Sequence, residues 1–284
     1  MADADPTATE RLDQYVVGQI PGLSRSAAIK LIERGDVIVN GKAAPKASYK
    51  VKPSDKIAVA YDQSAQTIPD IDLPVIYEDD DCAVINKPAG VLTHSKGAFN
   101  PEATVATWLS GQTNGMDGER AGIVHRLDRA TSGVMICAKT PEALAWLQKQ
   151  FSQRKVKKSY AAVVAGVMDK PEAVIDMPIE RNPKRPQTFR AGSNGKAALT
   201  AYQVLRTDSR HSLLELKPTT GRTHQLRVHL RQIGHPIVGD TLYGGEPAPR
   251  LFLHAHTLEI TLPGRQRKTF EVPVPQEFME LVRS

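Results

Sequence analysis

Beyond residue 80 the chain returns again and again to short apolar runs of strand length, and this recurrence constrains the fold more than any other feature. The runs are CAVIN (82–86), GVMICAKT (133–140), SYAAVVAGV (159–167), LTAYQVL (199–205), SLLELKP (212–218), LFLHAHTLEI (251–260) and KTFEVPV (268–274). Helical periodicity is rarer, confined to ATVATWLSGQ (103–112), PEALAWLQKQFSQ (141–153) and TTGRTHQLRVHLRQIG (219–234). Helices therefore do not alternate strictly with strands, which argues against a doubly wound parallel sheet. The pattern points to an α+β domain over residues 74–284, built on a mixed, mainly antiparallel sheet.

The first 61 residues read differently. Residues 1–8 are small and polar and form an expected disordered tail. Residues 9–61 form a small α/β unit. Leu12, Tyr15 and Val16 recur at helical spacing, and Ser24 is placed to start a second helix that Gly35 closes. A strand follows, then an Asn40-Gly41 hairpin turn and a second strand ending near Val59. Between Arg11 and Lys56 nine Lys or Arg face four Asp or Glu. Arg25, Lys30, Arg34, Lys42 and Lys46 are candidates for one phosphate-binding face. Residues 62–73, with Asp62, Asp70, Asp72 and Pro69, read as an acidic linker between two basic bodies.

A net charge of +6 favours an anionic partner, most often nucleic acid. The two cysteines, Cys82 and Cys137, sit inside apolar runs and read as free buried thiols in a reducing compartment. With neither a membrane-length apolar stretch nor a leader pattern, a cytoplasmic protein without membrane contact is expected, with monomer as the default state.

Four stretches carry candidate chemistry. In GIVHRLDRATSG, Asp128 follows His125 and Arg126 and precedes a small polar turn into a strand. In NKPAGV (86–91) a proline turn ends a strand, for which a structural role is the default. In QRKVKKSY, Lys155, Lys157 and Lys158 precede Tyr160, giving a phosphate grip beside an aromatic that can stack on a base. In TGRTHQLRVHL, Arg222 is expected in the first turn of a helix, where its charge opposes the helix dipole and calls for an anion; Arg227, on another face from Leu226 and Leu230, is a candidate RNA contact. Histidine pairs such as His224 with His229 lack the cysteines or HExxH spacing of a metal site, so no metal is expected. No GxGxxG, GxxxxGK[ST] or GxSxG string occurs, which withdraws support for nucleotide cofactors and serine hydrolysis.

Taken together, YEDDDCAVINKPAGVLTH, GIVHRLDRATSGVMICAKT, KSYAAVVAG and TTGRTHQLRVHLRQIGHPIVGDTLYG resemble the RluA family of RNA pseudouridine synthases, from about residue 74 onward. RLDQYV, SRSAAIKLIERGDVIVNGK and VKPSDKIAV resemble the small RNA-binding module, with its alpha-L motif, shared by a ribosomal small-subunit protein and bacterial tyrosyl-tRNA synthetases. The resemblance implies an isomerase that needs no cofactor and acts on structured RNA, with large-subunit (23S) ribosomal RNA favoured over tRNA. It further implies that Asp128 is the catalytic carboxylate, Tyr160 the active-site aromatic and Arg222 the cation paired with Asp128. Arg126 would fill the space left by a flipped uridine, and His125 would help shape the approach to RNA.

Asp128 would serve either as a nucleophile on ribose or ring, or as a base removing a ribose proton; the residues themselves leave both routes open. Two rivals are weaker. A non-catalytic assembly factor would not need Asp128 and Tyr160. A nucleoside hydrolase would want a second carboxylate, for which Asp240 is a poor candidate.

Overall fold

The structure is a computed structural model that describes residues 10–20, 23, 25–60, 69–94, 102–116 and 120–283. The tail expected at 1–8, Ser24 and residues 62–68 of the expected linker lie outside the described residues. Two compact units result, one from Met1–Asp70 with His94–Ala103, the other from Ile71–Thr93 with Thr104–Ser284.

In the smaller unit, helix α1 (Leu12–Gln19) and helix α2 (Arg25–Arg34) bury Leu12, Val16, Ala27, Ala28, Leu31 and Ile32 against Val37 and Val39 of strand β1 (Val37–Val39). The Asn40-Gly41 turn forms with both residues at positive φ (53° and 79°), as a two-residue hairpin of primed type requires. The strand expected to run on from Gly41 to Val59 is instead two. Strand β2 (Lys42–Ala43) leaves β1 after two residues, and β3 (Ile57–Val59) pairs with the other edge of β1. Pro45 offers no backbone donor to continue the first pairing. Asp55 closes the intervening loop by accepting hydrogen bonds from Lys52 N, Asn40 Nδ2 and Tyr49 Oη at 2.8–2.9 Å.

The larger unit is organised on a nine-stranded sheet. Its strands are β4 (Val75–Glu78), β5 (Cys82–Lys87), β6 (Ser132–Ala138), β7 (Lys157–Ala165), β8 (Glu172–Asp176), β11 (Leu199–Thr207), β12 (His211–Pro218), β13 (Leu253–Thr261) and β14 (Arg267–Glu271). A separate hairpin, β9 (Ile179–Arg181) and β10 (Phe189–Ala191), stands beside it. The order is β4-β5-β6-β13-β7-β12-β11-β8, with β14 on β13, and every pairing is antiparallel except β6 with β13. Gly133 permits that one parallel contact: it sits at φ 113°, and a Cβ there would lie 2.1 Å from Ala255 O.

Helices α3 (Val105–Ser110), α4 (Pro141–Ser152), α5 (Gln225–Gln232) and α6 (Gln276–Leu281) complete the unit. One buried cluster joins β5, β6 and β13 to α3 and α4; a second lies under β7, β12, α5 and α6. Cys82 and Cys137 are buried free thiols in the first. Leu73, expected in the linker, is 1% exposed and belongs to this core, because a single leucine among acids and prolines gives no sign of its burial in the sequence. No helix among the described residues is long and apolar enough to cross a membrane.

Candidate active site

Asp128 lies on the loop that feeds β6, lining a cleft of about 550 Å³. The loop is clamped from the NKPAGVLT segment. Thr93 Oγ1 donates to Leu127 O (2.8 Å) and accepts from Leu127 N (3.2 Å), while Gly90 N donates to Arg129 O (2.8 Å). Lys87, with no exposed surface, extends beneath and donates from Nζ to Pro88 O and Val91 O at 2.8 Å and to Arg129 O at 3.3 Å. Burial pushes its ammonium down to about 7, against the opposing pull of Asp128. The proline turn that reads as merely structural thus carries the shelf on which the Asp128 loop rests.

The cation beside Asp128 is Arg227, not Arg222. Arg227 Nη1 stands 3.4 Å from Asp128 Oδ2, and its other nitrogens make a bidentate pair with Asp240, Nε to Oδ2 and Nη2 to Oδ1, both 2.7 Å. Arg227 and Asp240 are 8% and 2% exposed. Burial works against the arginine's charge, but Asp240 and Asp128 outweigh it and raise its pKa further. Arg227 was expected as an RNA contact on the helix surface; the structure turns it inward. Arg222 precedes α5 rather than lying in its first turn, and its Nε donates to Ala197 O at 3.1 Å. The helix starts later because Gln225 ties down the loop before it. Its Oε1 accepts from Thr220 Oγ1 and Arg222 N, while Nε2 donates to Leu199 O and Thr200 Oγ1.

His224 caps α5 in the left-handed region, at φ 56°, which sets its ring facing the cleft. Its Nε2 is 3.8 Å from Asp128 Oδ2 and its Nδ1 is 2.7 Å from Tyr243 Oη. Tyr243 Oη also accepts from Phe189 N at 2.8 Å, so its own proton is available for His224 Nδ1. The neutral ring then carries its proton on Nε2, toward Asp128. Burial lowers the His224 pKa, with Asp128 pulling the other way, so the ring is neutral at pH 7. The Tyr243 ring also covers Arg227, whose Cζ lies 4.9 Å from the ring centroid. Asp240, weighed in the sequence only as a poor second carboxylate, and Tyr243, which the sequence did not single out beyond the GDTLYG string, are thus the immediate neighbours of Arg227.

Tyr160 lines the same cleft from β7, where Leu216 and Ala255 flank it in register. Burial, then the charge of Asp128, raises its pKa, so the phenol keeps its proton at neutral pH. Lys158, also on the cleft, is drawn down to about 8 by burial and donates to Thr220 O at 3.4 Å. Arg126 is exposed at the cleft. His125 plays a different part from the one expected. Its Nε2 accepts from Ile136 N at 3.2 Å, its ring stacks on Phe151 at 4.5 Å, and burial followed by Lys158 depresses it to about 3. It is a neutral structural residue of the cleft wall. Lys155 and Lys157 are exposed, Lys157 3.4 Å from Glu259.

The histidine pair 224/229 does not act together, because His229 is spent on Thr200 Oγ1 and Met177 O, each at 3.0 Å. In the smaller unit Lys30, Arg34, Lys42 and Lys46 are exposed, but Arg34 contacts Asp36 at 2.5 Å. Arg25 joins Arg11 in holding the fully buried Asp13, at 3.0 Å each, and Arg11 foremost keeps that carboxyl down at about 2.

Comparison with known proteins adds the following. The sequence family described as RNA pseudouridylate synthase matches residues 81–232, and the S4 domain matches residues 10–57. A ribosomal large subunit pseudouridine synthase D from Escherichia coli O6:H1 is 37% identical over 294 residues, covering 96% of this chain and 90% of that relative. An uncharacterized RNA pseudouridine synthase from Aquifex aeolicus is 39% identical over 246 residues, covering 83% and 77%. Among solved structures, human RNA pseudouridylate synthase domain containing 1 superposes with a TM-score of 0.60 at 31% identity, covering 71% of this chain and 83% of that one.

Proposed function

The chain belongs to the RNA pseudouridylate synthase family, and on that premise we propose that it isomerises uridines of large-subunit ribosomal RNA with Asp128 as the catalytic carboxylate. The reaction breaks the bond from ring nitrogen 1 to ribose, turns the uracil, and rejoins it through carbon 5, with no net redox change or hydrolysis.

One observation carries the assignment of Asp128. Its Oδ2 is held by Arg227, itself locked by Asp240, while Oδ1 makes no hydrogen bond among the described residues. One oxygen is therefore oriented and the other is open to a ligand in the cleft, as a nucleophile or a base needs. Arg227 reaches Asp128 with its fork already committed, so little reorganisation accompanies reaction. Tyr160, protonated and facing the cleft, is a platform on which a flipped uracil can stack. Removing the base from its stack costs a few kcal/mol, and exposed Arg126 is placed to fill the space it leaves. The S4 domain supports a structured RNA partner, and its exposed Lys30, Lys42 and Lys46 offer phosphate contacts.

The test is pseudouridine mapping of total RNA by carbodiimide labelling and primer extension, in cells lacking the protein and complemented with the native chain or Asp128→Asn. Sites in large-subunit ribosomal RNA restored by the native chain alone are the expected result. Restoration by both chains refutes the role of Asp128, and restored sites confined to tRNA refute the substrate.

A further inference from the structure

The β9–β10 hairpin carries a cationic tip that none of the residues above accounts for. Between its strands run Asn182-Pro183-Lys184-Arg185-Pro186-Gln187-Thr188. The tip is tied to itself by hydrogen bonds. Lys184 N donates to Asn182 Oδ1 (3.0 Å), Thr188 N and Oγ1 both donate to Arg185 O (2.8 Å), and Arg181 Nη1 donates to Pro186 O (3.1 Å). Two prolines restrict the backbone further. Arg190 is spent on Glu180 at 2.7 Å, the one acid of the hairpin. Lys184 and Arg185 are exposed, and their side chains have no partner among the described residues.

The base of the hairpin is joined to the cleft. Phe189 N donates to Tyr243 Oη, whose other partner is His224, and the Phe189 ring meets His224 edge-on at 5.6 Å. Just past the hairpin, Ala197 O holds Arg222, another cleft residue. Four residues separate Phe189 from Arg185, a span of at most about 13 Å at roughly 3.3 Å per residue. Nucleotides in a strand rise about 3.4 Å each, so the two cations lie within about four nucleotides of Phe189 and, with the further 5.6 Å to His224 and 3.8 Å to Asp128, within about seven of a uridine bound there.

We propose that Lys184 and Arg185 grip the phosphate backbone of the substrate RNA within about seven nucleotides of the target uridine, and that the Phe189–Tyr243–His224 bonds fix this grip in register with Asp128. The inference rests on the proposed function only in taking RNA as the substrate. A preorganised tip contacts phosphate without first paying the entropy of ordering a loop. Phosphate contacts position a nucleic acid without reading its sequence, so the hairpin contributes placement and affinity, not choice of base.

The test uses the full chain, with Lys184→Ala/Arg185→Ala compared with Lys170→Ala/Arg210→Ala, two exposed cations elsewhere that change net charge equally. The probe is an unmodified transcript of large-subunit ribosomal RNA; Kd is measured from 50 to 200 mM salt, and pseudouridine formation is followed at saturating RNA. Each lost contact removes about 0.7–0.9 from the salt slope, so over this fourfold range the hairpin variant's deficit in affinity should shrink about tenfold. The Lys170/Arg210 variant should keep the wild-type slope and kcat, and the charge-preserving Lys184→Arg/Arg185→Lys should keep the wild-type slope. A wild-type slope in the alanine hairpin variant overturns the proposal, as does an equal change in the Lys170/Arg210 variant. If the hairpin slope changes but the wild-type chain forms no pseudouridine in this RNA, the grip stands and the proposed substrate falls.

Discussion

Asp240→Asn keeps nearly the same volume and removes the charge that holds Arg227 in place. Both side chains are buried, at 2% and 8% exposure, and joined by two 2.7 Å bonds, so solvent screens the pair little. Removing one partner of such a pair costs about 3–5 kcal/mol, because the remaining charge is left buried. Asp128 stands 3.4 Å away as a second anion, which favours the lower end, about 3 kcal/mol. In a unit of about 200 residues each kcal/mol lowers Tm by about 2–4 °C, giving a drop of about 6–12 °C. The only two tryptophans, Trp108 and Trp146, lie in the larger unit, so fluorescence excited selectively from tryptophan follows its melting without a signal from Tyr15 and Tyr49 of the smaller one. Freed from Asp240, Arg227 shifts toward Asp128, and a displacement of about 1 Å should lower kcat by about a hundredfold. Arg227→Met completes a cycle, in which the double variant should be about 2–3 kcal/mol more stable than the sum of the single losses. A Tm change below about 2 °C for Asp240→Asn, with additive effects in the cycle, would refute the claim that this pair anchors the site.

Further outcomes follow from the same geometry. Arg222→Ala should leave Tm within about 2 °C of wild type and lower kcat far less than Arg227→Lys does, measured side by side on one transcript, since Arg222 bonds only a carbonyl away from Asp128. Tyr243→Phe keeps the ring over Arg227 but leaves Phe189 N without its acceptor, which should cost about 1–3 kcal/mol by urea unfolding and alter the pH profile of kcat through His224. For Lys87, held at about 7 when folded, the unfolded chain binds a proton that the folded chain has released between pH 7 and its ordinary value of 10.5. Stability should therefore rise with pH across that window, by at most about 1.4 kcal/mol per pH unit from this group. Lys158 adds to the slope above about 8, so the measurement is the difference between wild type and Lys87→Met, and identical slopes from pH 7 to 8 would refute the assignment.

How much of this protein is legible in its sequence depends on the range over which each feature acts. The seven apolar runs mark strands because strand-length apolar stretches rich in β-branched residues are local signals, and the two-residue Asn40-Gly41 turn is equally local. Asp128 and Tyr160 stand out because their neighbours in the chain also surround them in the cleft. Sequence alone therefore determines the strand-rich larger unit, the basic smaller one and the central carboxylate.

The partner of that carboxylate was not legible, because it depends on which side of α5 faces the sheet and where that helix starts. Arg222 and Arg227 are both arginines in one short motif, and either could meet an anion. Gln225 delays the helix by holding Thr220 and Arg222, which sends Arg222 toward Ala197 and turns Arg227 inward to Asp240. His125 likewise looks like an RNA contact until Phe151, distant in sequence, stacks on it. Lys87 reads as the end of a strand and proves to support the Asp128 loop from below. Each of these roles depends on burial and on contacts between segments far apart in the chain, and only the tertiary structure supplies them. A charge in water and the same charge in a packed interior are different chemical groups, and the residue type alone does not say which one the fold has made.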